Sequence, residues 1–253
     1  MIDLSGRHVM IVGGSRGIGA ATARMAASVG AAVSLTYRQH ADQAVAVVKD
    51  IEQLGGRASA YCADAADADA MTRAFGDAVA TLGPLQGLVV SAGIYADTWL
   101  PIDTLTTEAW DLVMAVNLRG TFTAVQLAAP HMRAAGGGSM VIYTSTAGQS
   151  GAGGNSAYAT SKGAQIAFMR SAASELAPDQ IRVNCIAPAW TETETATALI
   201  DKFGREAIRS RCPLGRTGLP DDIAGPTCFL LSDLASYMTG STLTVDGGQA
   251  MRG

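Results

Sequence analysis

A tyrosine and a lysine that could move a proton together lie four residues apart in the segment SAYATSKGA. On a helix, Tyr158 and Lys162 would be neighbours on one face. A free tyrosine has a pKa of about 10, which suits proton transfer at neutral pH poorly. A neighbouring ammonium group favours the phenolate, so we expect Lys162 to lower the pKa of Tyr158. The pair predicts acid–base chemistry at an oxygen atom.

The segment HVMIVGGSRGIGAA, residues 8–21, fits two motifs with different chemistry. Residues 13–17 match the G-x-S-x-G turn that presents a nucleophilic serine, here Ser15, in hydrolases. Gly13, Gly17 and Gly19 instead space the glycines as in a turn that binds the pyrophosphate of a dinucleotide.

The surroundings of this segment favour the phosphate-binding turn. A hydrolase needs an earlier strand for its oxyanion loop and a later histidine to accept the serine proton. Ser15 follows the first strand, and neither His40 nor His131 stands at a strand end. A strand ending at Gly13 and a helix beginning near Arg16 would point backbone N–H groups at a phosphate. We expect Ser15 to cap that helix and to contact the ligand.

Strand-like apolar runs alternate with helical patterns along the whole chain. Buried strands separated by helices indicate a parallel sheet covered on both faces. We therefore predict an α/β fold with a doubly wound parallel sheet of about seven strands. The first six strands are HVMIV, AAVSLTY, RASAYCA, GLVVSAG, SMVIYTS and IRVNCIA, and the helices span about 16–29, 41–54, 67–82, 107–135 and 156–177.

No linker divides these units, and Gly30, Gly55 and Gly83 follow helical patterns where helix ends are expected. Residues 134–161 contain no charged side chain and resemble a flexible linker, but they include the bulky run MVIYTS. We predict a buried strand there, followed by a close-packed glycine loop. Residues 1–253 are thus expected to form a single domain, with a cofactor half to about residue 145 and a catalytic and substrate half from 146.

The composition narrows the possible partners. The chain has 253 residues, of which 48% are hydrophobic and 16% charged, and its net charge is -4. It therefore lacks the basic field that holds nucleic acid, and small molecules are the expected ligands. No run of eighteen apolar residues and no leader-like start is present, which favours the cytoplasm and no membrane association. The cysteines and histidines show no metal-ligand spacing, so we expect no metal site and four free buried thiols, at Cys62, Cys185, Cys212 and Cys228.

The spacing G-x-x-x-G-x-G, taken with Y-x-x-x-K, resembles the short-chain dehydrogenase/reductase family, whose fold is a Rossmann-type sheet. The resemblance extends over essentially the whole chain. It implies hydride transfer at a carbonyl group, with Ser145 donating a hydrogen bond to the developing oxyanion and Lys162 also holding the nicotinamide ribose. It also implies that Asn117 supports a water relay to the lysine. Alternatively, Asn117 is a buried polar residue that satisfies its own helix.

The residue that follows the second strand bears on the choice between NAD and NADP. An acid there binds the ribose 2'-hydroxyl and repels a 2'-phosphate, but this chain has Arg38. The resemblance places Arg16 on the same side, and two guanidinium groups favour NADP(H). Alternatively, Arg38 is a solvated strand-end charge and NAD binds. Asp64 resembles the family's acid near the adenine ring, although it could equally cap a helix.

The resemblance implies other cofactor contacts and shows four departures from the family pattern. Val12, Val90 and Ser91 replace a threonine and two asparagines that tie the central strands to nearby loops, and Ala189 adds a methyl group near the nicotinamide. The departures put local stability and cofactor affinity in question more than the chemistry. The further implied contacts are Ile18, Ala65, Ala92, Gly93, Pro188 and Thr193.

The substrate is less well defined. The overall pattern is similar to that of 3-oxoacyl-[acyl-carrier-protein] reductases, but residues 136–138 are glycines where a carrier-docking base is usual. We therefore expect a free ketone, a sugar or a cyclic alcohol, with carrier-protein thioesters and a non-catalytic nucleotide-binding module as alternatives. Tyr95, Gln149 and Trp190 follow strand ends, where a substrate would lie, or they pack structurally.

Two further expectations concern movement and assembly. Residues 191–212 are rich in Thr, Glu and Arg and follow a strand end, which predicts a mobile flap over the site. The long helices after the fourth and fifth strands carry many small residues, and the resemblance implies that they join subunits in a homotetramer.

Overall fold

Seven short segments form one parallel sheet in the computed structural model, which describes residues 1–95 and 99–252. The sheet order is β3-β2-β1-β4-β5-β6-β7, so the chain reverses its direction of winding between β3 and β4. The carboxyl ends of β1 and β4 flank this switch point, where doubly wound sheets bind ligands. The strands are β1 His8–Val12, β2 Ala32–Tyr37, β3 Ala58–Cys62, β4 Leu85–Val90, β5 Gly138–Tyr143, β6 Ile181–Pro188 and β7 Thr242–Val245.

Helices cover both faces of this sheet. One apolar core lies on the side of α3, α5 and α7, and a second lies on the side of α1, α2 and α10. The prediction of a doubly wound parallel sheet of about seven strands is confirmed. The helices are α1 Gly17–Ser28, α2 Ala41–Gln53, α3 Ala68–Leu82, α4 Thr107–Val113, α5 Gly120–Ala134, α6 Ala147–Ser150, α7 Ser156–Leu176, α8 Glu194–Phe203, α9 Arg205–Arg209 and α10 Pro220–Leu231.

The start of α1 differs from the prediction. Its N-cap is Arg16, which has extended backbone and no capping side-chain hydrogen bond, and the helix begins at Gly17. Ser15 lies one residue outside, so the prediction that it caps the helix is wrong. The turn places Gly17 at φ +55°, which delays the helix by one residue relative to the sequence pattern.

The glycine loop after β5 is only partly close-packed. A Cβ added to Gly148 would lie 2.6 Å from the carbonyl carbon of Lys162, whereas nothing lies within 4 Å of one added to Gly151 or Gly153. These two glycines are exposed, so the predicted close packing holds for the single turn of α6 and not for residues 151–154.

The long helix predicted over 107–135 is continuous but not uniform. A π-helical segment, Met114–Arg119, separates α4 from α5 and contains Asn117. Residues 107–134 are long and apolar enough to span a bilayer by length and composition, and half of their most apolar stretch is buried inside the protein.

The four thiols are free, but Cys62 is exposed, contrary to the expectation that all would be buried. It is the last residue of β3, at the edge of the sheet, where no further strand covers it. Within the ranges 1–95 and 99–252, no group of three or more His, Cys, Asp or Glu side chains could hold a metal ion.

Candidate functional site

A cavity of about 560 Å³ opens at the carboxyl ends of the strands and is large enough for a small-molecule ligand. It brings together most of the residues that the sequence singled out; only Gly19, Asn117 and Gln149 do not line it. The predicted residues in its wall are Gly13, Ser15, Arg16, Gly17, Ile18, Arg38, Asp64, Ala65, Ala92, Gly93, Tyr95, Ser145, Tyr158, Lys162, Pro188, Trp190 and Thr193.

The glycine turn allows backbone to approach backbone. Gly13 has φ +82°, and a Cβ added to it would lie 2.7 Å from the backbone nitrogen of Ala92. A Cβ added to Gly19 would lie 2.2 Å from the carbonyl oxygen of Gly13, so Gly19 lets α1 pack against the turn although it does not line the cavity. One added to Gly17 would meet the Thr193 side chain at 3.2 Å. The turn is therefore a backbone cradle at the amino end of a helix, which fits a dinucleotide pyrophosphate.

The hydrogen bonds that join the ends of β1, β2 and β4 are made by groups that the sequence did not identify. The backbone N–H of Gly13 donates to the Thr36 hydroxyl over 3.1 Å. The N–H groups of Ser91 and Ala92 donate to the Val12 carbonyl over 2.9 and 2.8 Å. Thr36 on β2 and the backbone thus hold the cradle at the positions where Val12, Val90 and Ser91 depart from the family pattern. A polar residue in the apolar run AVSLTY was the only signal for Thr36.

Two arginines and one carboxylate line the cavity after β1, β2 and β3. Arg38 follows β2 and lies 3.7 Å from the Asp64 carboxylate, with both side chains substantially exposed. Arg16 also lines the cavity. Asp64 accepts a hydrogen bond from the Ala66 N–H, and α3 is capped by Asp67 instead, so the helix-cap alternative for Asp64 is wrong. The wall therefore offers two guanidinium groups, and Asp64 competes for one of them, Arg38.

Tyr158 is half-buried beside a second tyrosine. The ring centroids of Tyr95 and Tyr158 are 4.9 Å apart. Burial raises the pKa of Tyr158 well above its usual range, Tyr95 raises it further, and a hydrogen bond with the Ser145 side chain acts in the opposite direction. The expectation that Lys162 lowers this pKa is not met in the free protein. Tyr158 is therefore a neutral phenol that can donate a proton.

Lys162 is directed at the main chain. Its Nζ donates to the Tyr143 carbonyl over 2.7 Å and lies 5.7 Å from the centroid of the Tyr158 ring. Burial lowers the pKa of Lys162 to about 8. The backbone acceptor at the end of β5 has no sequence signal, which is why the position of this ammonium group was not predicted.

Asn117 connects the π-helical segment to the loop after β4. Its amide oxygen accepts from the Ile94 N–H over 2.8 Å, and its amide nitrogen donates to the Ile94 carbonyl and the Ser161 hydroxyl, each over 3.0 Å. Asn117 does not line the cavity, and the alternative that it satisfies its own helix is wrong. It positions the Gly93–Ile94 backbone, where a Cβ added to Gly93 would lie 3.3 Å from the Lys162 Nζ.

The three predicted substrate residues separate into two groups. Tyr95 and Trp190 line the cavity, whereas Gln149 is turned toward β7, where its amide donates to Thr244 over 3.0 Å. The structure does not bring Gln149 to the cavity, because the one-turn helix α6 directs its side chain away. Trp99 lines the cavity and was not identified from the sequence.

The segment predicted to be a flap contains α8 and α9. Thr193 caps α8 by accepting from the Ala196 N–H over 3.1 Å. Glu192 accepts from the Arg205 guanidinium and from the Thr217 hydroxyl, which attaches the segment to the following loop. The segment lies beside the glycine turn through Thr193, so its position could affect both ends of the cavity.

Comparisons with known proteins place this geometry in context. A family model described as "Enoyl-(Acyl carrier protein) reductase" matches residues 12–250. The chain is 36% identical over 245 residues to 3-oxoacyl-[acyl-carrier-protein] reductase FabG of Staphylococcus aureus, covering 97% of this chain and 98% of that protein. It is 38% identical over 250 residues to L-rhamnose 1-dehydrogenase (NAD(P)(+)) of a Sphingomonas species, covering 97% and 96%.

A solved structure shows the same similarity. A dehydrogenase/reductase from Sinorhizobium meliloti 1021 superposes with a TM-score of 0.92 and 41% sequence identity, covering 98% of this chain and 96% of that one. These relatives act on different substrates by name, one a carrier-bound thioester and one a sugar, so similarity alone does not select a substrate.

Proposed function

The chain belongs to the short-chain dehydrogenase/reductase family, and from that premise we propose that it is an NADP(H)-dependent oxidoreductase that interconverts a small carbonyl compound and its secondary alcohol. The observation that carries the proposal is the Tyr158 hydroxyl, hydrogen-bonded with Ser145 in the wall of the cavity. A bound nicotinamide would supply or accept the hydride.

The proton chemistry is assigned to Tyr158. Because burial raises its pKa, Tyr158 holds its proton until a carbonyl oxygen that is gaining negative charge takes it. Ser145 donates a hydrogen bond to the same oxygen and stabilises that charge. Its own oxygen accepts from the Ala147 N–H over 3.1 Å, which fixes the side chain beside Tyr158.

The cofactor site is assigned to the glycine turn and the lysine. The backbone at Gly13, Ser15 and Gly17 would hold the pyrophosphate, because the turn has no Cβ atoms at its closest approaches. Lys162 would hold the nicotinamide ribose, and Asn117 acts as a positioning residue for the loop beside it. Ala65, Ala92, Gly93, Ile18, Pro188 and Thr193 remain proposed contacts in the cavity wall.

The preference for NADP(H) rests on charge. Arg16 and Arg38 line the end of the cavity where no acid follows β2, and two guanidinium groups match a 2'-phosphate. Asp64 reduces this preference by pairing with Arg38 in the free protein. NADP(H) binding would release Arg38 from Asp64.

A second candidate function is 3-oxoacyl-[acyl-carrier-protein] reduction, favoured by the similarity to the FabG relative. It needs a basic surface that docks an acidic carrier. Near the end of α5, Arg133 is already paired with Asp179 over 2.5 Å, and glycines follow at 136–138. We therefore favour a free substrate.

Self-association is proposed through the exposed apolar faces of the two long helices. Phe122 on α5 is 47% exposed, and its ring lies 6.1 Å from that of Phe168 on α7. Contiguous exposed apolar patches mark protein interfaces, and the Phe122–Phe168 pair would form the centre of such a patch. Light scattering after size-exclusion chromatography tests this: a homotetramer is expected, Phe122→Glu is expected to dissociate it, and a monomeric unmodified protein would refute it.

One cuvette experiment tests the main proposal. NADPH and NADH are titrated by fluorescence, and carbonyl probes are then added to the tighter complex while absorbance at the nicotinamide band is followed. Tighter binding of NADPH, with oxidation by at least one probe, is the expected result. Failure to bind either dinucleotide would refute the proposal, and binding without oxidation would favour a non-catalytic nucleotide-binding module.

A further inference from the structure

Three aromatic rings from distant parts of the chain meet at the cavity. Trp99 comes from the loop after β4, Trp190 follows β6, and Phe203 ends α8. The ring centroids are 4.6 Å apart for Trp99 and Phe203, 5.9 Å for Trp190 and Phe203, and 6.2 Å for the two tryptophans, whose planes differ by 17°. All three separations fall within the range of favourable aromatic pairs. We call these three residues the aromatic cluster.

The members of the cluster have different exposures to the cavity. Trp99 and Trp190 line it, whereas Phe203 does not and is 40% exposed to solvent. Trp190 also packs against the small apolar core of Ile200 and Ile208. Phe203 therefore supports the two indoles from behind, and the indoles present their surfaces to whatever occupies the cavity.

The cluster lies on the substrate side. Tyr95 is in contact with Tyr158, and both Tyr95 and the two indoles line the same cavity as the proposed proton donor. Other side chains that the loops after β4, β5 and β6 contribute to the cavity are small or apolar and carry no charge: Ile94, Thr146, Ala147, Ser150, Ala152 and Ala189. Glu194, the charged residue that the segment after β6 adds to the wall, lies beside Gly17 on the glycine turn. Arg211, the charged side chain that the segment after α9 adds to the wall, is exposed.

A polar atom in the cluster adds a constraint. The Trp99 Nε1 is shielded from solvent and has no hydrogen-bond partner within residues 1–95 and 99–252. A buried N–H without an acceptor is costly, and a ligand oxygen beside the indole would remove that cost.

We infer that the aromatic cluster selects a ketone, or the corresponding secondary alcohol, that carries a flat uncharged ring next to the reacting carbon, with preference for a ring bearing a hydrogen-bond acceptor. This rests on the proposed function, since the carbonyl must reach Tyr158. A ring between uncharged aromatic walls gains favourable pair contacts. The many hydroxyls of a sugar would lose water against the same walls with few partners to replace it.

The test compares matched probes with NADPH as reductant. Acetophenone and cyclohexyl methyl ketone share the methyl ketone and the ring size but differ in aromaticity, and 4'-methoxyacetophenone adds an acceptor-only ether. We expect kcat/KM to be about tenfold higher for acetophenone than for the cyclohexyl ketone. A sugar lactol such as rhamnose, tested with NADP⁺, and an acetoacetyl thioester are expected to react more slowly still.

Variants assign the selectivity to the cluster. Trp99→Leu and Trp190→Leu are each expected to reduce kcat/KM for acetophenone by about tenfold and to bring it level with the cyclohexyl ketone. Trp99→Phe keeps a ring but removes the N–H, so it is expected to abolish only the advantage of the methoxy probe. Tyr237→Leu is the matched control, because that ring is fully exposed and outside the cavity wall.

The outcomes separate this inference from the proposed function. If a variant or the unmodified protein fails to bind NADPH in the fluorescence titration, the failure lies with the fold or with the proposed function. If NADPH binds, the inference is overturned by equal kcat/KM for the two ketones, by faster turnover of the sugar or thioester, by no turnover of any probe, or by an unchanged ketone ratio in both leucine variants.

Discussion

The two ends of the cavity are built in different ways. At the proposed cofactor end, a glycine turn and strand ends bring backbone to within van der Waals contact, as at Gly13 and Ala92, and Arg16 and Arg38 line the cavity. At the substrate end, loops bring together aromatic side chains such as Trp99 and Trp190. The first end is fixed by main-chain geometry and tolerates little change. The second depends on side chains alone, so it can change its selectivity without disturbing the first.

Removing the Tyr158 hydroxyl gives the largest expected effect. It is expected to change turnover at one end of the cavity without changing NADPH binding at the other. Tyr158→Phe is expected to lower kcat/KM by about 10³-fold or more, because it deletes the proposed proton donor while keeping the ring that contacts Tyr95. The dissociation constant for NADPH is expected to stay within about twofold of that of the unmodified protein. Steady-state rates and fluorescence titration measure the two quantities. Retained turnover would remove Tyr158 from its assigned role.

Adding one methyl group at Gly19 is expected to damage the cofactor end through the main chain. Its Cβ would lie 2.2 Å from the Gly13 carbonyl oxygen, and neither backbone can move away easily. We expect Gly19→Ala to reduce the free energy of unfolding by about 3 kcal/mol and to weaken NADPH binding.

Gly76 supplies the matched control for that variant. It lies in the exposed face of α3, with nothing within 4 Å of an added Cβ. Gly76→Ala is expected to increase stability by up to about 1 kcal/mol, since alanine favours helix. Equal changes in the two variants, measured by denaturant unfolding, would show that the close approach at Gly19 does not matter.

The same difference between the ends explains what the sequence could predict. The doubly wound sheet, the glycine turn and the Tyr158–Lys162 pair follow from local patterns, and the resemblance added Ser145. The position of the Lys162 Nζ depended on the Tyr143 carbonyl, a backbone atom with no sequence signature. Pairing with a lysine predicts a lowered pKa for Tyr158, but burial raises it.

The substrate end was harder to predict because its contacts join segments far apart in the chain. Trp99 and Phe203 are separated by about one hundred residues, and nothing in either local pattern indicates that they meet. Gln149 follows a strand end as expected, but a single helical turn directs it to Thr244. Position along the chain was enough to identify Tyr95 and Trp190 as residues of the cavity wall. It could not show that the Gln149 side chain points away from the cavity.

One substitution at Arg38 reverses the charge that is proposed to meet the 2'-phosphate of NADP(H). Arg38→Asp is expected to shift the ratio of NADPH to NADH dissociation constants toward NADH by about ten- to thirtyfold, a little under the full value of a charge-assisted contact because Arg38 is half exposed. Asp64→Asn is the opposite variant. It frees Arg38 and is expected to strengthen the NADPH preference by about twofold. A ratio unchanged in both variants would place the phosphate contact elsewhere.

A smaller effect than that of Arg38→Asp is a pH dependence at the boundary between the two ends. Burial lowers the pKa of Lys162 to about 8, so the free protein loses this positive charge above that pH. The negative charge of a dinucleotide would favour the protonated form. NADPH affinity is therefore expected to be flat below about pH 8 and to fall by several-fold up to about pH 9. Lys162→Met is expected to abolish the fall.

The stability of the free protein is expected to change with the opposite sign. A buried lysine whose pKa is lowered binds its proton less tightly when folded than when unfolded, so its unfavourable contribution is complete below about pH 8 and is relieved as pH rises toward its ordinary value of 10.5. The groups around it stay neutral in this range, because burial raises the pKa of Cys185 to about 12 and that of Tyr158 well above its usual range. Denaturant unfolding between pH 7.5 and 9.5, with Lys162→Met as the control, would contradict the assignment if stability and NADPH affinity changed in the same direction.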